Sequence, residues 1–391
     1  MFILLRALEK YSLHYPFYLT PILIYRWRRD THGSCMKLNQ IIHGDMMDIV
    51  KKLGDGVAQS VLVDPPYNIG KDFGNDSDKQ EMDDYLKWCD EWMEECYRVL
   101  ADNGTMFVYG FSEILALILA RVPHRINRRW IVWHYTNKNA AHLNFWQRSH
   151  ESILILWKKD KVFNRDLVRE PYTETFLNNA AGKKRVGTPS RFGSGKETIY
   201  NAHKNGALPR DVIKIPALAG GAGSVERVFY CKTCDLLKKG SKEKKPCVAK
   251  KCDLIIHPTQ KPMELSLKLL ESCKQEDGLV FVPFAGTGSE CLAALQLGLP
   301  FLGADLNEDY VTLTRARLDD WMQNGDKKAN TSDKKPSSKS VQDGKKYATL
   351  GSFEDYSKLT VKELKERLKQ AGLPISGNKS TLITRLKDQM A

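Results

Sequence analysis

Residues 60–67 read Ser-Val-Leu-Val-Asp-Pro-Pro-Tyr. A short apolar run meets a carboxylate, and two prolines then end the strand by fixing the backbone and removing two donors. Apolar runs bounded by turns predict strands buried on both faces of a parallel sheet. Open sheets of that kind bind ligands at the carboxyl ends of their strands. Asp64-Pro65-Pro66-Tyr67 therefore has two readings, a rigid turn or a site. As a site it offers a carboxylate and a carbonyl, which together accept both protons of an exocyclic NH₂. It also offers an aromatic ring for stacking on a flat base.

The pattern extends in both directions. Upstream, Gln40–His43 predicts a strand and Asp48–Leu53 a helix. Downstream, Asp83–Leu100 predicts a helix with Tyr85, Trp88, Trp92, Cys96 and Val99 on one face, read as core. Strands over Thr105–Tyr109, Trp130–His134 and Ser152–Trp157 and a helix over Glu113–Arg121 follow. After residue 255 the alternation resumes with helix Pro262–Cys273, strand Leu279–Val282, helix Glu290–Leu297, strand Phe301–Ala304 and helix Tyr310–Gln323. The expected fold class is α/β, with a mostly parallel, doubly wound sheet.

Between the last two strands lies Phe284-Ala285-Gly286-Thr287-Gly288. Glycines between a strand and a helix let a ligand approach the backbone and the free N–H groups of the helix start. A tight structural turn is the alternative. Asp305 ends the next strand, where a carboxylate accepts hydrogen bonds from ribose hydroxyls. The full dinucleotide fingerprint and the Gly-Lys-Ser/Thr phosphate loop are both missing.

The 391 residues carry 60 Lys and Arg against 47 Asp and Glu, a formal charge of +13, which favours a polyanionic partner. No stretch reaches the ~18 apolar residues of a membrane span. Nine cysteines, an odd number in a long chain, point to a reducing intracellular compartment rather than a disulfide framework. Six regions are expected. They are an extension at 1–35, a catalytic half at 36–157, an inserted target-recognition region at 158–255, a cofactor half at 256–323, a linker at 324–354 and a helical module at 355–391. The insert holds Cys231-x2-Cys234 and Cys247-x4-Cys252, spacings that suit structural Zn²⁺. Reduced thiols in a solvated loop are the alternative.

The tetrapeptide and the glycine loop, with Gly44-Asp45 and His257-Pro258-Thr259-Gln260-Lys261-Pro262, resemble the β class of amino-methylating DNA methyltransferases. The resemblance covers roughly residues 36–322, with catalytic motif first, target recognition next and cofactor loop last. It implies a Rossmann-like methyltransferase fold that uses S-adenosylmethionine to methylate an exocyclic amine of double-stranded DNA. Asp64, Pro65, Pro66 and Tyr67 would be catalytic, gripping a base flipped out of the duplex. Phe284, Gly286 and Gly288 would shape the cofactor pocket and Asp305 would bind ribose. His257 and Lys261 would lie near the methionine carboxylate, and Asp45 would close the adenosyl side. Asp45 also reads as a turn cap and His257 as a helix-entry residue. Val282 departs from the acidic residue that often precedes Pro-Phe in this family.

Asp at position 64, rather than Ser, implies adenine N6 over cytosine N4. Leu359-Thr360-Val361 through Gly372-Leu373, and Gly377-x-Lys379 to Arg385-Leu386, resemble the SAP module, a two-helix DNA-binding unit. It would act as a tether that raises local DNA concentration. That module makes a nuclear location an expectation for a eukaryotic or viral source. The competing readings are a non-catalytic DNA-binding protein on a methyltransferase scaffold and a small-molecule methyltransferase. Target sequence, a cognate restriction nuclease and a homodimer are not legible.

Overall fold

The computed structural model describes residues 27–29, 35–71, 78–135, 137, 144–187, 189, 195–218, 226–240 and 252–329, and eleven residues between 360 and 382. Two compact units divide between Ser332 and Asp333.

In the first unit, strands β1 (Trp27–Arg29) and β2 (Cys35–Lys37) pair antiparallel, so the expected boundary after residue 35 falls inside a hairpin. There follow β3 (Gln40–His43), α1 (Met46–Val50), β4 (Ala58–Val63), α2 (Met82–Val99), β5 (Leu100–Gly110), α3 (Ser112–Arg121), β6 (Asn127–His134) and β7 (His150–Trp157). The insert supplies α4 (Glu174–Asn179), β8 (Lys184–Val186), β9 (Glu197–Ile199), β10 (Val212–Lys214), β11 (Val228–Cys231), β12 (Leu236–Lys239) and β13 (Leu254–Ile255). The chain then runs α5 (Met263–Cys273), β14 (Leu279–Val282), α6 (Ser289–Gln296), β15 (Phe301–Asp305) and α7 (Glu308–Ala329).

Eight strands form the central sheet in the order β10-β6-β7-β5-β4-β14-β15-β3. Only β7 runs against its neighbours; every other pairing is parallel. The α/β class with a mostly parallel sheet is therefore observed. The insert is less separate than expected, because β10 extends the sheet beside β6. The last helix passes Gln323 to Ala329, into the segment read as linker.

Helices cover both faces, which is why the inner strands are apolar throughout. Val61 and Val63 pack on one side with Tyr85, Trp92, Cys96 and Val99 of α2. Leu62 packs on the other side with Leu265, Leu269 and Ala293 of α5 and α6. The buried face of α2 recurs every three or four residues, and Asp83 and Asp84 in its first turn suit the helix dipole.

From β4 the chain crosses to β5 on one side; from β14, beside β4, it crosses to β15 on the other. Winding reverses between β4 and β14, and a cleft opens at their carboxyl ends. Asp64 follows β4 and Pro283–Gly288 follow β14, so both motifs reach that cleft.

In the second unit Leu364, Leu368 and Leu382 are fully buried. Asn378 caps the second helix, accepting from the Thr381 N–H at 3.0 Å. Of the residues that carry the SAP resemblance, Leu359, Gly372, Leu373, Arg385 and Leu386 lie outside the described residues.

Candidate active site

One cavity is lined by Asp64, Pro65, Pro66 and Tyr67 on one side and by Phe284, Ala285, Gly286 and Thr287 on the other. Asp45, His257, Lys261 and Asp305 also face it. Gly288 does not line it and acts from behind.

The tetrapeptide is held from outside. The Tyr85 hydroxyl of α2 donates to the Pro66 carbonyl at 2.8 Å. The buried Asp78 carboxylate accepts from the N–H groups of Asn68, Ile69 and Lys71, fixing the chain that leaves the corner. Asn68 takes a left-handed φ of 57° and exchanges two hydrogen bonds with the Gln80 backbone.

Asp64 meets Lys261. The ammonium donates to both carboxylate oxygens at 2.7 Å, and to the Tyr67 hydroxyl at 3.1 Å. Tyr67 in turn donates to Asp64 Oδ1 at 2.7 Å. Its ring is 8% exposed and lies 5.3 Å from Phe111. Lys261 thus sits on the Asp64 carboxylate, whereas the family resemblance placed it near the cofactor carboxylate. Glu151 stands 3.8 Å from the same ammonium. Burial opposes the Lys261 charge, but Asp64 and Glu151 overcome it and hold the amine above its usual range. Burial pushes the Tyr67 phenol well up, and the Asp64 charge adds to this.

Burial, reinforced by Asp64, also pushes up the Glu290 carboxyl, which accepts from the Ser266 hydroxyl at 3.1 Å. Glu290 and Trp88 line the cavity too, and sequence reasoning missed both as site residues. An acid in the first turn after the glycine loop was the available signal for Glu290. Trp88, read as core, packs edge-on against Phe284 at 5.7 Å and turns part of its surface to the cavity.

Lys261 neutralises a buried acidic group, which fixes the outcome of its removal. Lys261→Met is expected to cost about 3–5 kcal/mol, because it strands the carboxylates. Glu290, whose carboxyl burial already pushes up, then loses the opposing Lys261 charge and is held further above its unfolded value. Stability is retained below the unfolded pKa and lost as pH rises through the folded one. Chemical denaturation between pH 5 and 8 should show the deficit widening toward pH 8.

The cofactor side is built around Asp305. Its carboxylate accepts from Gly286 N–H at 2.7 Å and from Asn307 N–H at 2.9 Å. Burial pushes its carboxyl up against those two bonds. Gly286 and Gly288 have φ of 51° and 70°. A Cβ on Gly286 would lie 2.9 Å from His257 Nε2. Burial lowers His257 to about 4, keeping the ring neutral. Its Nδ1 accepts from Thr259 N–H at 3.3 Å, which leaves the proton on Nε2. Tyr310 of α7 packs edge-on against this ring at 4.6 Å. Asp45 does cap α1, accepting from Met47 N–H at 2.7 Å, and also faces the cavity. Val282 is buried within the sheet. Aromatic walls, a carboxylate and a glycine loop that lets a ligand approach the backbone suit a nucleoside, so the residues present fit S-adenosylmethionine.

Elsewhere the Sγ atoms of Cys231, Cys234 and Cys252 lie within 4.8 Å of one another. Cys247 is outside the described residues. No helix among the described residues is long and apolar enough to cross a membrane.

The profile of a DNA methylase family matches residues 58–316, well over half the chain, and that of the SAP domain matches residues 355–390. The chain is 26% identical over 285 residues to the type II methyltransferase M.HpaI of Haemophilus parainfluenzae, covering 72% of this chain and 74% of that one. It is 27% identical over 283 residues to the DNA adenine methyltransferase YhdJ of Escherichia coli K12, covering 71% and 82%. Among solved structures it resembles the M1.HpyAVI–SAM complex, with 19% identity, a TM-score of 0.39 and coverage of 71% and 99%. It also resembles the cytosine-N4-specific PvuII DNA methyltransferase, with 13% identity, a TM-score of 0.45 and coverage of 73% and 91%.

Proposed function

Since the chain belongs to the N6/N4 DNA methylase family and carries a SAP domain, we propose that it methylates N6 of adenine extruded from double-stranded DNA. Membership makes it an S-adenosylmethionine-dependent DNA methyltransferase; the choice of base and the roles of individual residues are the proposal. One observation carries it: the Asp64 corner and residues 284–287 of the glycine loop open into a single cavity.

An aromatic amine is a weak nucleophile because its lone pair is delocalised into the ring. The Asp64 carboxylate and the Pro65 carbonyl accept its two N–H bonds and localise that pair. Lys261 and Tyr67 hold the carboxylate in place and occupy Oδ1, while Oδ2 keeps a lone pair beyond the one that Lys261 uses. Bound S-adenosylmethionine supplies a sulfonium methyl, the electrophile. Asp305 accepts from ribose hydroxyls, neutral His257 offers its Nε2–H, and Trp88, Phe284 and Tyr310 bound the adenosyl site. The residues position and polarise, with no covalent enzyme intermediate. A stacked base cannot reach this depth, so the base must flip. Double-stranded DNA is the partner, and the SAP module tethers it, raising its local concentration. The exposed strands β8 and β9 of the insert are the candidate sequence readers.

Support for adenine comes from Asp at position 64, by the family resemblance, and from the printed specificity of YhdJ. DNA incubated with the protein and isotopically labelled S-adenosylmethionine should yield labelled N6-methyladenine on nucleoside mass spectrometry. Labelled N4-methylcytosine would reverse the choice of base, and no label would favour the non-catalytic scaffold. The cofactor reading also includes a structural Zn²⁺ held by the cysteines of the insert, supported by the clustering of three thiols.

A further inference from the structure

Resting on that Zn²⁺ reading, we infer that the thiolate site clamps one wall of the cofactor cavity. Loss of the ion then weakens binding of the methyl donor.

The metal-bearing ribbon is the three-stranded sheet β12-β11-β13. Cys231 ends β11, and its register partner on β13 is Leu254, two residues after Cys252. Lys232 N–H donates to the Asp253 carbonyl at 2.9 Å, and Asp253 N–H to the Thr233 hydroxyl at 3.1 Å. The three thiols therefore bracket the place where β11 and β13 are joined. β13 continues through Ile256 into His257 and Lys261, which line the cavity.

The other end of β11 is tied to the same segment. Val228 N–H donates to the Gln260 side-chain carbonyl at 3.0 Å, and the Gln260 amide donates to the Glu226 carbonyl at 3.1 Å. The Glu226 carboxylate accepts from Met263 N–H at 2.7 Å, and Arg227 donates to the His257 carbonyl at 3.2 Å. Val228, Tyr230 and Ile255 pack on Tyr310 and Leu313 of α7, and Tyr310 is the ring against His257. Lys232 and Asp309 add an ion pair at 2.7 Å. The ribbon is the backing of the 257–261 wall.

Its own strands have only four, four and two residues. So small a sheet does not hold itself: β11 is buried throughout, but β12 buries only the Lys238 side chain and β13 adds only Ile255. Tetrahedral thiolate ligation supplies the missing free energy, as in other small metal-folded units. The wall inherits its order from the ion.

The test uses the full chain. Mass spectrometry of the native protein should find one Zn²⁺ per chain, and Cys234→Ser and Cys252→Ser should lose it. Calorimetric titration with S-adenosylhomocysteine should show a dissociation constant raised by about 10-fold or more in the metal-free protein. Backbone hydrogen exchange should accelerate at 228–231 and 254–261 and stay unchanged in α2. Should the variants fail to fold, chelation of the native protein followed by Zn²⁺ restoration gives the same readouts. Metal loss that leaves homologue affinity and exchange at 254–261 unchanged overturns the clamp while the Zn²⁺ reading stands. So does exchange that accelerates throughout α2, since the ion would then hold the whole fold. A native protein without metal, or with a disulfide among these cysteines, overturns both.

Discussion

Asp64→Ala is expected to lower single-turnover methyl transfer by at least roughly 10³-fold, the scale for removing a group that stabilises developing charge. The side chain is the only carboxylate of the tetrapeptide, and both its oxygens are held by neighbours before any base arrives. Without it the amine keeps its lone pair in the ring. The substitution also leaves the buried Lys261 with Glu151 at 3.8 Å as its remaining ion-pair partner, so some loss of stability accompanies it. Asp64→Asn removes the charge, and so strands Lys261 as Ala does, but keeps one acceptor oxygen for the amine, so a smaller rate loss in Asn than in Ala reports the hydrogen bond rather than the stability loss. S-adenosylhomocysteine binding by calorimetry should change less than about threefold in either folded variant, because Asp305, His257 and the glycine loop are untouched. Retained turnover in both variants would remove Asp64 from the chemistry.

Gly288→Val is the complementary result, striking the donor rather than the acceptor. Gly288 caps α6 with a φ of 70°, and a Cβ there would stand 2.3 Å from Thr314 Cγ2 of α7. The Thr314 hydroxyl donates to the Gly286 carbonyl at 2.8 Å, so a displaced Thr314 takes the glycine loop with it. Left-handed strain of ~1–2 kcal/mol adds to overpacking of ~1–3 kcal/mol. The sum of about 2–5 kcal/mol should appear in denaturant unfolding, with S-adenosylhomocysteine affinity lost by more than about 100-fold. Gly298→Val provides the control. It has the same φ of 70° with nothing within 4 Å of its Cβ, so only the strain term should appear and cofactor binding should persist.

Much of this was legible because the deciding signals are local. Strands such as Leu279–Val282 are apolar end to end, and the corner and glycine loop each sit within a few residues of a strand end. Helix and strand limits moved by a few residues, as at α7, which runs past Gln323 through the poor helix formers Asn324, Gly325 and Asp326, against their propensity. The charged heart of the site was not legible. Asp64, Glu151, Lys261 and Glu290 come from four distant stretches, and nothing in the spacing of Lys261 tells which carboxylate it meets. Trp88 was assigned to the core because the stripe on α2 is continuous. Only the position of Phe284 shows that one edge of the stripe faces the cavity. The pairing of β10 with β6 rests on a three-residue strand inside a polar segment, too short for periodicity to announce.

The parallel pairing of β15 with β3 brings the far end of the donor half back beside the opening strand of the acceptor half. Arg315 of α7 reaches across to the Ile41 carbonyl at 2.8 Å to secure that seam. Strands β14 and β15 therefore lie between β4 and β3, so the later half is flanked on both sides by strands of the earlier one, although the polypeptide visits the halves in only one order. The cleft depends on adjacency and not on which half is translated first.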